Sequence, residues 1–159
     1  MTNTTAPSFW TSVHTSSAID TWTTPISLWT ELNKEFDFQL DAAALRCSAL
    51  VPRNWYGPDH PRVSRRDALS RSWVNDVDGA VWLNPPYGRG VTGRFVAKAS
   101  QEATRGLTVV CLVPARTDTA WWHDSVLDKC EVRFLRGRLK FGASESPAPF
   151  PSAILVYRP

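Results

Sequence analysis

Asn84-Pro85-Pro86-Tyr87, fed by the apolar run Ala80-Val81-Trp82-Leu83 and followed by Gly88, carries the clearest chemistry in this chain. Two consecutive prolines fix φ near about −65° and drive the preceding Asn84 into an extended conformation. The loop then presents one carboxamide, a pair of backbone carbonyls with no competing N–H between them, and one aromatic ring. That set suits a planar amine, with two acceptors for its hydrogens and a ring for its heterocycle. The amine of adenine is a poor nucleophile because its lone pair is delocalised. Accepting its hydrogens at the Asn84 side-chain oxygen and the Pro85 carbonyl favours a tetrahedral nitrogen, and the stabilisation grows toward the transition state. Tyr87 would stack on the purine, a task that needs no hydroxyl. A base inside a duplex cannot reach such a loop and must be flipped out. The competing structural reading is a proline-stiffened turn in which Asn84 caps backbone groups. Placement after a strand and before a glycine-containing loop and a helix favours the chemical one.

Such a reaction needs a group donor. No GxxxxGK[ST] loop is present, and no GxGxxG follows a strand; Gly88-Arg89-Gly90 with Gly93 comes after the tetrad and lacks the lysine. A sulfonium donor such as S-adenosylmethionine carries no phosphates. It needs an acceptor for its amino group, donors for its carboxylate and an apolar slot for its adenine. Asp41, ending a predicted strand, is the candidate for the first; a turn or capping aspartate is the alternative. Thr24, at a predicted helix N-terminus, is the candidate for the second; a simple N-cap is the alternative. Asp67-Ala68-Leu69 offers a carboxylate for the donor's adenine amine and an apolar contact at Leu69, against the alternative of a solvated loop aspartate.

The elements that must position these residues alternate. Thr24 and Pro25 open a helix carrying Leu28, Trp29, Leu32 and Phe36 at helical spacing. Phe38–Asp41 is a short strand, and Ala42–Arg46 is helix-prone. Residues 50–77 are irregular, broken by Pro52, Gly57, Pro58 and Pro61 and rich in arginine. After the strand Ala80–Leu83 and the tetrad, a helix over 91–104 buries Phe95, Val96, Ala99 and Ala103 and stops at Gly106. Leu107–Val113 is a buried strand. Thr117-Asp118 caps a helix with Trp121, Trp122 and Leu127. Glu131–Leu135 and Ser152–Tyr157 are strands, with Leu139–Phe141 as a possible returning arm after the turn Arg136-Gly137-Arg138. The pattern predicts an α/β fold: a single-domain three-layer α/β/α sandwich whose mixed sheet ends in antiparallel strands. Residues 1–18, rich in Thr and Ser, read as a flexible leader and 19–159 as the domain.

Hydrophobic residues make up 43% and charged residues 21% of 159, which suits one globular domain. No apolar stretch is long enough to span a membrane, and no signal peptide is expected. Three scattered cysteines suit a reducing cytoplasm, and with three histidines at no ligand spacing they predict no metal. Net charge is +3 and the isoelectric point about 9.0, a mild lean toward anionic partners. Arg89, Arg94 and Arg116 flank the expected pocket, and Arg136, Arg138 and Lys140 gather at the late turn. These six are the candidate nucleic-acid contacts. Arg62, Arg65, Arg66 and Arg71 form a second group. Most of the eight tryptophans read as core.

Taken together, the segments resemble the compact phage-type DNA N-6-adenine methyltransferases (the Dam-like family). The likeness runs from about Ile19 onward. It rests on Trp22-Thr23-Thr24-Pro25, on Phe38-Gln39-Leu40-Asp41-Ala42-Ala43 and on Val81 to Gly90 through the tetrad. Further on it rests on Leu112 to Thr119 with Trp121, on Arg133 to Phe141 and on Ala148-Pro149-Phe150-Pro151-Ser152. The resemblance implies a class I, Rossmann-like methyltransferase fold, S-adenosylmethionine as donor, and Asn84, Pro85, Pro86 and Tyr87 as the catalytic loop. It also implies donor contacts from Trp22, Thr23, Thr24 and Pro25, from Asp41 and Ala42, from Asp67 and Leu69, and from Asn84. The expected partner is double-stranded DNA with a flipped adenine, the setting the cytoplasm of a bacterial host of a phage or prophage, and the assembly a monomer or weak dimer. The chain departs from the general methyltransferase pattern at Ala42-Ala43-Ala44, where a glycine-rich turn would follow the first strand. No separate recognition domain fits between Asp41 and Asn84 or after the tetrad, so short loops or a partner would read the sequence. The same tetrad also suits RNA adenine or a protein glutamine, and a donor-free DNA-binding module is the non-enzymatic alternative.

Overall fold

The computed structural model describes residues 22–159; the expected leader, 1–18, lies outside them. Three helices, α1 (Ile26–Phe36), α2 (Thr92–Ala103) and α3 (Ala120–Ser125), and five strands make up the described elements. The strands are β1 (Phe38–Asp41), β2 (Ala80–Leu83), β3 (Val109–Pro114), β4 (Glu131–Phe134) and β5 (Ser152–Tyr157). Short 3-10 turns at Val63–Arg65 and Trp73–Asn75 punctuate the irregular stretch.

The strands form one sheet in the order β1-β2-β3-β5-β4. β1, β2 and β3 run parallel, and β5 lies antiparallel between β3 and β4. β4 therefore runs in the direction of the first three. The C-terminal ends of four strands and the N-terminal end of β5 meet at one sheet edge, where α/β sheets place their chemistry.

Alternation splits the core into two clusters. Leu40, Val81, Leu83, Val109, Cys111, Val113, Ala153 and Leu155 pack with Phe95, Val96 and Ala99 of α2 and Trp122 of α3. Ala80, Trp82, Val110, Leu112, Ile154 and Val156 pack with Leu32 of α1 and with Phe141 and Ala148. Phe38 and Leu40 have the same parity yet fall in different clusters. A register irregularity explains it: Phe38 pairs with Ala80 and Leu40 with Val81, so the intervening Gln39 is an extra residue that reverses the alternation. At Gly93 a Cβ would lie 2.7 Å from the Trp121 Cβ, so the glycine lets α2 and α3 approach.

Four expectations are corrected. Thr24 does not cap α1: Pro25 occupies the N-cap position, without a side-chain cap bond. Ala42–Arg46 is not helical, because its backbone is drawn elsewhere. Ala42 N–H donates to the Trp82 carbonyl and Ala44 N–H to that of Tyr56, each at 2.9 Å. A Cβ at Gly57 would sit 1.7 Å from the Ala44 oxygen, so this packing excludes any other residue there. α3 takes Thr119 as N-cap in place of Thr117-Asp118, again with no side-chain bond, and stops short of Leu127. Leu139–Phe141 forms no strand; it anchors a loop, with the Leu139 carbonyl accepting Ala148 N–H. Among the described residues no helix is long and apolar enough to cross a membrane, and no cluster of potential metal ligands occurs.

Candidate active site

β2 is buried along its whole length and delivers the tetrad to the shared edge. The Asn84 carboxamide nitrogen donates to the Trp22 carbonyl at 2.8 Å and to the Thr24 hydroxyl at 3.0 Å. Both hydrogens of its NH2 group are thereby used, which fixes the orientation of the amide. A flipped amide would turn its oxygen toward the Trp22 carbonyl oxygen. The consequence lies at the other end: Asn84 Oδ1 is buried and has no hydrogen-bond partner among the described residues. Orphaned buried acceptors are rare because each carries a desolvation cost.

The rest of the loop is clamped. Thr92, buried at the start of α2, donates its hydroxyl to the Pro86 carbonyl at 3.0 Å and accepts Gly88 N–H at 3.2 Å. The Pro86 carbonyl is thus occupied, while that of Pro85, the expected acceptor, receives no hydrogen bond among the described residues. Tyr87 packs with Trp22, Phe141 and Phe150, its ring edge-on to both phenylalanines. Burial pushes its hydroxyl far above the ordinary phenol range, so it remains a donor, and it bonds the Leu112 carbonyl at 3.2 Å.

Asp41 lies at the end of β1, in register with Trp82 and so at the same edge as Asn84. It is buried. Its carboxylate accepts Leu50 N–H at 2.9 Å and, more weakly, Ala43 N–H at 3.4 Å. No ion pair among the described residues includes it. Burial raises its pKa to about 6, against the lowering effect of those two N–H groups.

The other candidate donor contacts divide. Trp22 and Thr24 are joined to Asn84 as above. Thr23 is tied to the loop after β4, its carbonyl accepting Gly142 N–H at 2.9 Å, and the Pro25 carbonyl accepts Trp29 N–H within α1's first turn. Ala42 is buried beside Asp41. Asp67 is engaged in its own turn, accepting Leu69 N–H at 3.0 Å, and Leu69 packs partly against the first core cluster. No hydrogen bond connects this turn to Asp41 or Asn84. A separate cavity of about 510 Å3 opens beside β1, among Trp29, Phe38, Leu50, Asn54 and Asp76. It contains none of the tetrad.

Arg89, Arg116, Arg136, Arg138 and Lys140 are exposed and lie on connections leaving the C-terminal ends of β2, β3 and β4. Arg94 is exposed in the first turn of α2. The topology gathers the five loop cations at the edge that carries Asn84. The second arginine group is partly structural: Arg65 and Arg71 lie over the Tyr56 ring and pair with Asp76.

Several site residues escaped the sequence reading. Thr92 gave no signal beyond polarity, and Phe141 and Phe150 none beyond apolarity and their places in the shared segments, since their partners are distant in the chain. Ser152 is buried at the start of β5 opposite Pro114, and its hydroxyl has no partner among the described residues; only its place among the shared segments marked it.

The sequence model of the DNA N-6-adenine-methyltransferase (Dam) family matches residues 11–153. A DNA N-6-adenine-methyltransferase of Escherichia phage T1 is 28% identical over 121 residues, covering 76% of this chain. The chain spans 46% of that relative's length.

Proposed function

Because the chain belongs to the DNA N-6-adenine-methyltransferase (Dam) family, we propose that it methylates the exocyclic amine of a flipped adenine in double-stranded DNA, with S-adenosylmethionine as donor. The observation that carries this reading is the Asn84 carboxamide: both its hydrogens are spent on the protein and its buried oxygen has no partner among the described residues. An acceptor held in that state is preorganised for a hydrogen that arrives with the substrate.

The fold of residues 22–159 fits a three-layer class I methyltransferase domain, whose start we assign to residue 19, since both sheet faces are covered and the tetrad follows a parallel strand. The donor set fits as well. A buried carboxylate without a cationic partner among the described residues, Asp41, suits the donor's ammonium group, and Ala42 beside it suits close approach. The N-terminal turn of α1, with the segment Trp22 to Pro25, suits its carboxylate. Asp67 and Leu69 are assigned to its adenine. When bound, the sulfonium supplies an electrophilic methyl group and departs as a neutral thioether.

The chain's own contribution is to position and polarise the amine. Asn84 Oδ1 accepts one hydrogen of adenine N6 and the Pro85 carbonyl the other, which localises the nitrogen lone pair. The amine proton lost on methylation passes to solvent, since neither acceptor is basic enough to keep it. Tyr87, with Trp22, Phe141 and Phe150, provides the aromatic wall for the flipped base. Arg89, Arg94, Arg116, Arg136, Arg138 and Lys140 neutralise backbone phosphates.

Labelled donor offered in parallel to unmethylated DNA, total RNA and protein extract tests the reading. N6-methyladenine should appear in DNA. Asn84→Ala should lower its formation by roughly a thousandfold, the scale of losing a transition-state acceptor, while donor affinity by calorimetry stays within a few-fold. Label confined to RNA or protein, or no binding heat with donor, would overturn it.

A further inference from the structure

We infer that Thr24 is a positioning residue for Asn84, deciding which end of the carboxamide faces the target amine. The inference rests on the function proposed above. A carboxamide is nearly symmetric in shape, and its two ends differ only in donating or accepting. An Asn84 presenting its NH2 group would meet the adenine amine donor to donor and could not assist the reaction. The polypeptide must therefore choose the orientation, and the Trp22 carbonyl and the Thr24 hydroxyl are its means.

Of the two, Thr24 is the one a side chain controls. It is buried, so water does not readily replace its oxygen as acceptor. The N-cap position of α1 belongs to Pro25, and among the described residues the bond the Thr24 hydroxyl accepts is the one from Asn84. Both acceptors sit on one short segment pinned from two sides. Gly142 N–H holds the Thr23 carbonyl at 2.9 Å, and Phe141 and Phe150 hold the Trp22 ring, with centroids 5.1 and 4.9 Å away. The hydroxyl is therefore presented to Asn84 from a fixed place, and removing it leaves one amide hydrogen without a partner and the orientation weakly determined.

The test compares Thr24→Val, which keeps the branched shape without the acceptor, with Thr24→Ser, which restores the oxygen. Single-turnover methylation of DNA is measured at saturating donor, together with hydrogen exchange of the Asn84 side-chain NH2 by NMR. Thr24→Val should slow the single-turnover rate by roughly tenfold or more, the scale of one lost hydrogen bond and the misoriented population it permits. It should also hasten exchange of the Asn84 amide hydrogens. Thr24→Ser should recover both to within about threefold. If Thr24→Val retains rate and exchange protection, the inference is wrong. If it weakens donor binding but leaves the saturated rate and the amide protection intact, Thr24 is a donor contact, and the inference is equally wrong. Wild-type protein that protects the Asn84 amide but methylates no DNA would instead overturn the proposed function. Melting temperatures of both variants within a few degrees of wild type separate these outcomes from misfolding.

Discussion

The Tyr87 hydroxyl donates to the Leu112 carbonyl at 3.2 Å, tying the end of the tetrad to β3, the neighbour of the strand that delivers its beginning. Asn84, at the other end, is held by Trp22 and Thr24. The loop is thus braced at both ends by groups far away in the chain, and its two prolines stiffen what lies between.

Tyr87→Phe is therefore not the silent change that a purely stacking role implies. It keeps the ring among Trp22, Phe141 and Phe150 but removes the bond to β3. The variant should lose about 1 kcal/mol of stability and several-fold in methylation rate. Tyr87→Ala also empties the aromatic cluster and should cost about 3 kcal/mol. Urea unfolding and single-turnover assays on the two variants check this, and a Tyr87→Phe protein matching wild type in both would remove any task for the hydroxyl.

Asp41 makes the fold sensitive to pH. Its folded pKa of about 6 lies above that of an unfolded aspartate. The folded state thus binds this proton more tightly, so the carboxyl contributes stability at low pH that is lost as pH rises through about 6. The shift from the ordinary value corresponds to roughly 3 kcal/mol. Unfolding free energies of wild type and Asp41→Asn, compared from pH 4 to pH 8, should diverge through this window to the disadvantage of wild type. Donor affinity should move oppositely if Asp41 meets its ammonium group, weakening as pH falls below about 6. Asp41→Asn should abolish that dependence. A donor affinity flat across the window in wild type would exclude the contact.

Glu102 is fully buried in α2. It pairs with Lys98 at 2.7 Å and Arg105 at 3.0 Å and accepts Trp73 N–H at 3.0 Å. It thereby fastens the 3-10 turn at Trp73–Asn75 to the helix. Glu102→Ala would leave Lys98, itself largely buried, without its partner, and should cost about 3 kcal/mol or more. Being remote from the tetrad in its bonding, the variant should keep its donor affinity at temperatures where it remains folded. Calorimetric unfolding with a donor titration at low temperature measures both.

These features differ in how far the sequence discloses them. β5 was readable to the residue because Ser152–Tyr157 is buried throughout, and the tetrad because two prolines restrict the chain whatever surrounds them. Ala42–Arg46 misled because alanine propensity is worth tenths of a kcal/mol, less than the bonds to Trp82 and Tyr56 that draw the segment away. Thr24 misled for a related reason. A threonine before a helix is expected to cap it, yet its partner lies 60 residues on. Glu102 was invisible because Lys98 and Arg105, at helical spacing, look like an ordinary solvated pairing. In each case the deciding partner is brought by the fold, and no local window contains it.

The connection between β4 and β5 offers the sharpest test of the basic edge. Arg136, Arg138 and Lys140 are exposed on it, whereas Phe141 is buried at its base and the Phe150 ring packs 4.9 Å from that of Trp22. Anchorage rests mainly on the two aromatic rings, Arg138 adding only a long bond of 3.4 Å to the Ala148 carbonyl, so neutralising the three cations should leave the loop in place. Each of Arg136→Gln, Arg138→Gln and Lys140→Gln should reduce the slope of log affinity against log salt by about 1 and weaken binding alike for all DNA sequences. The triple variant should lose about 3 from the slope with an unchanged melting temperature. Unchanged slopes would mean that DNA approaches elsewhere. A loss confined to one sequence would mean that these side chains read bases, a task assigned here to no residue. The triple variant should lose affinity well before it loses rate at saturating DNA, because no hydrogen bond among the described residues joins these three side chains to Asn84 or to the Trp22–Thr24 segment.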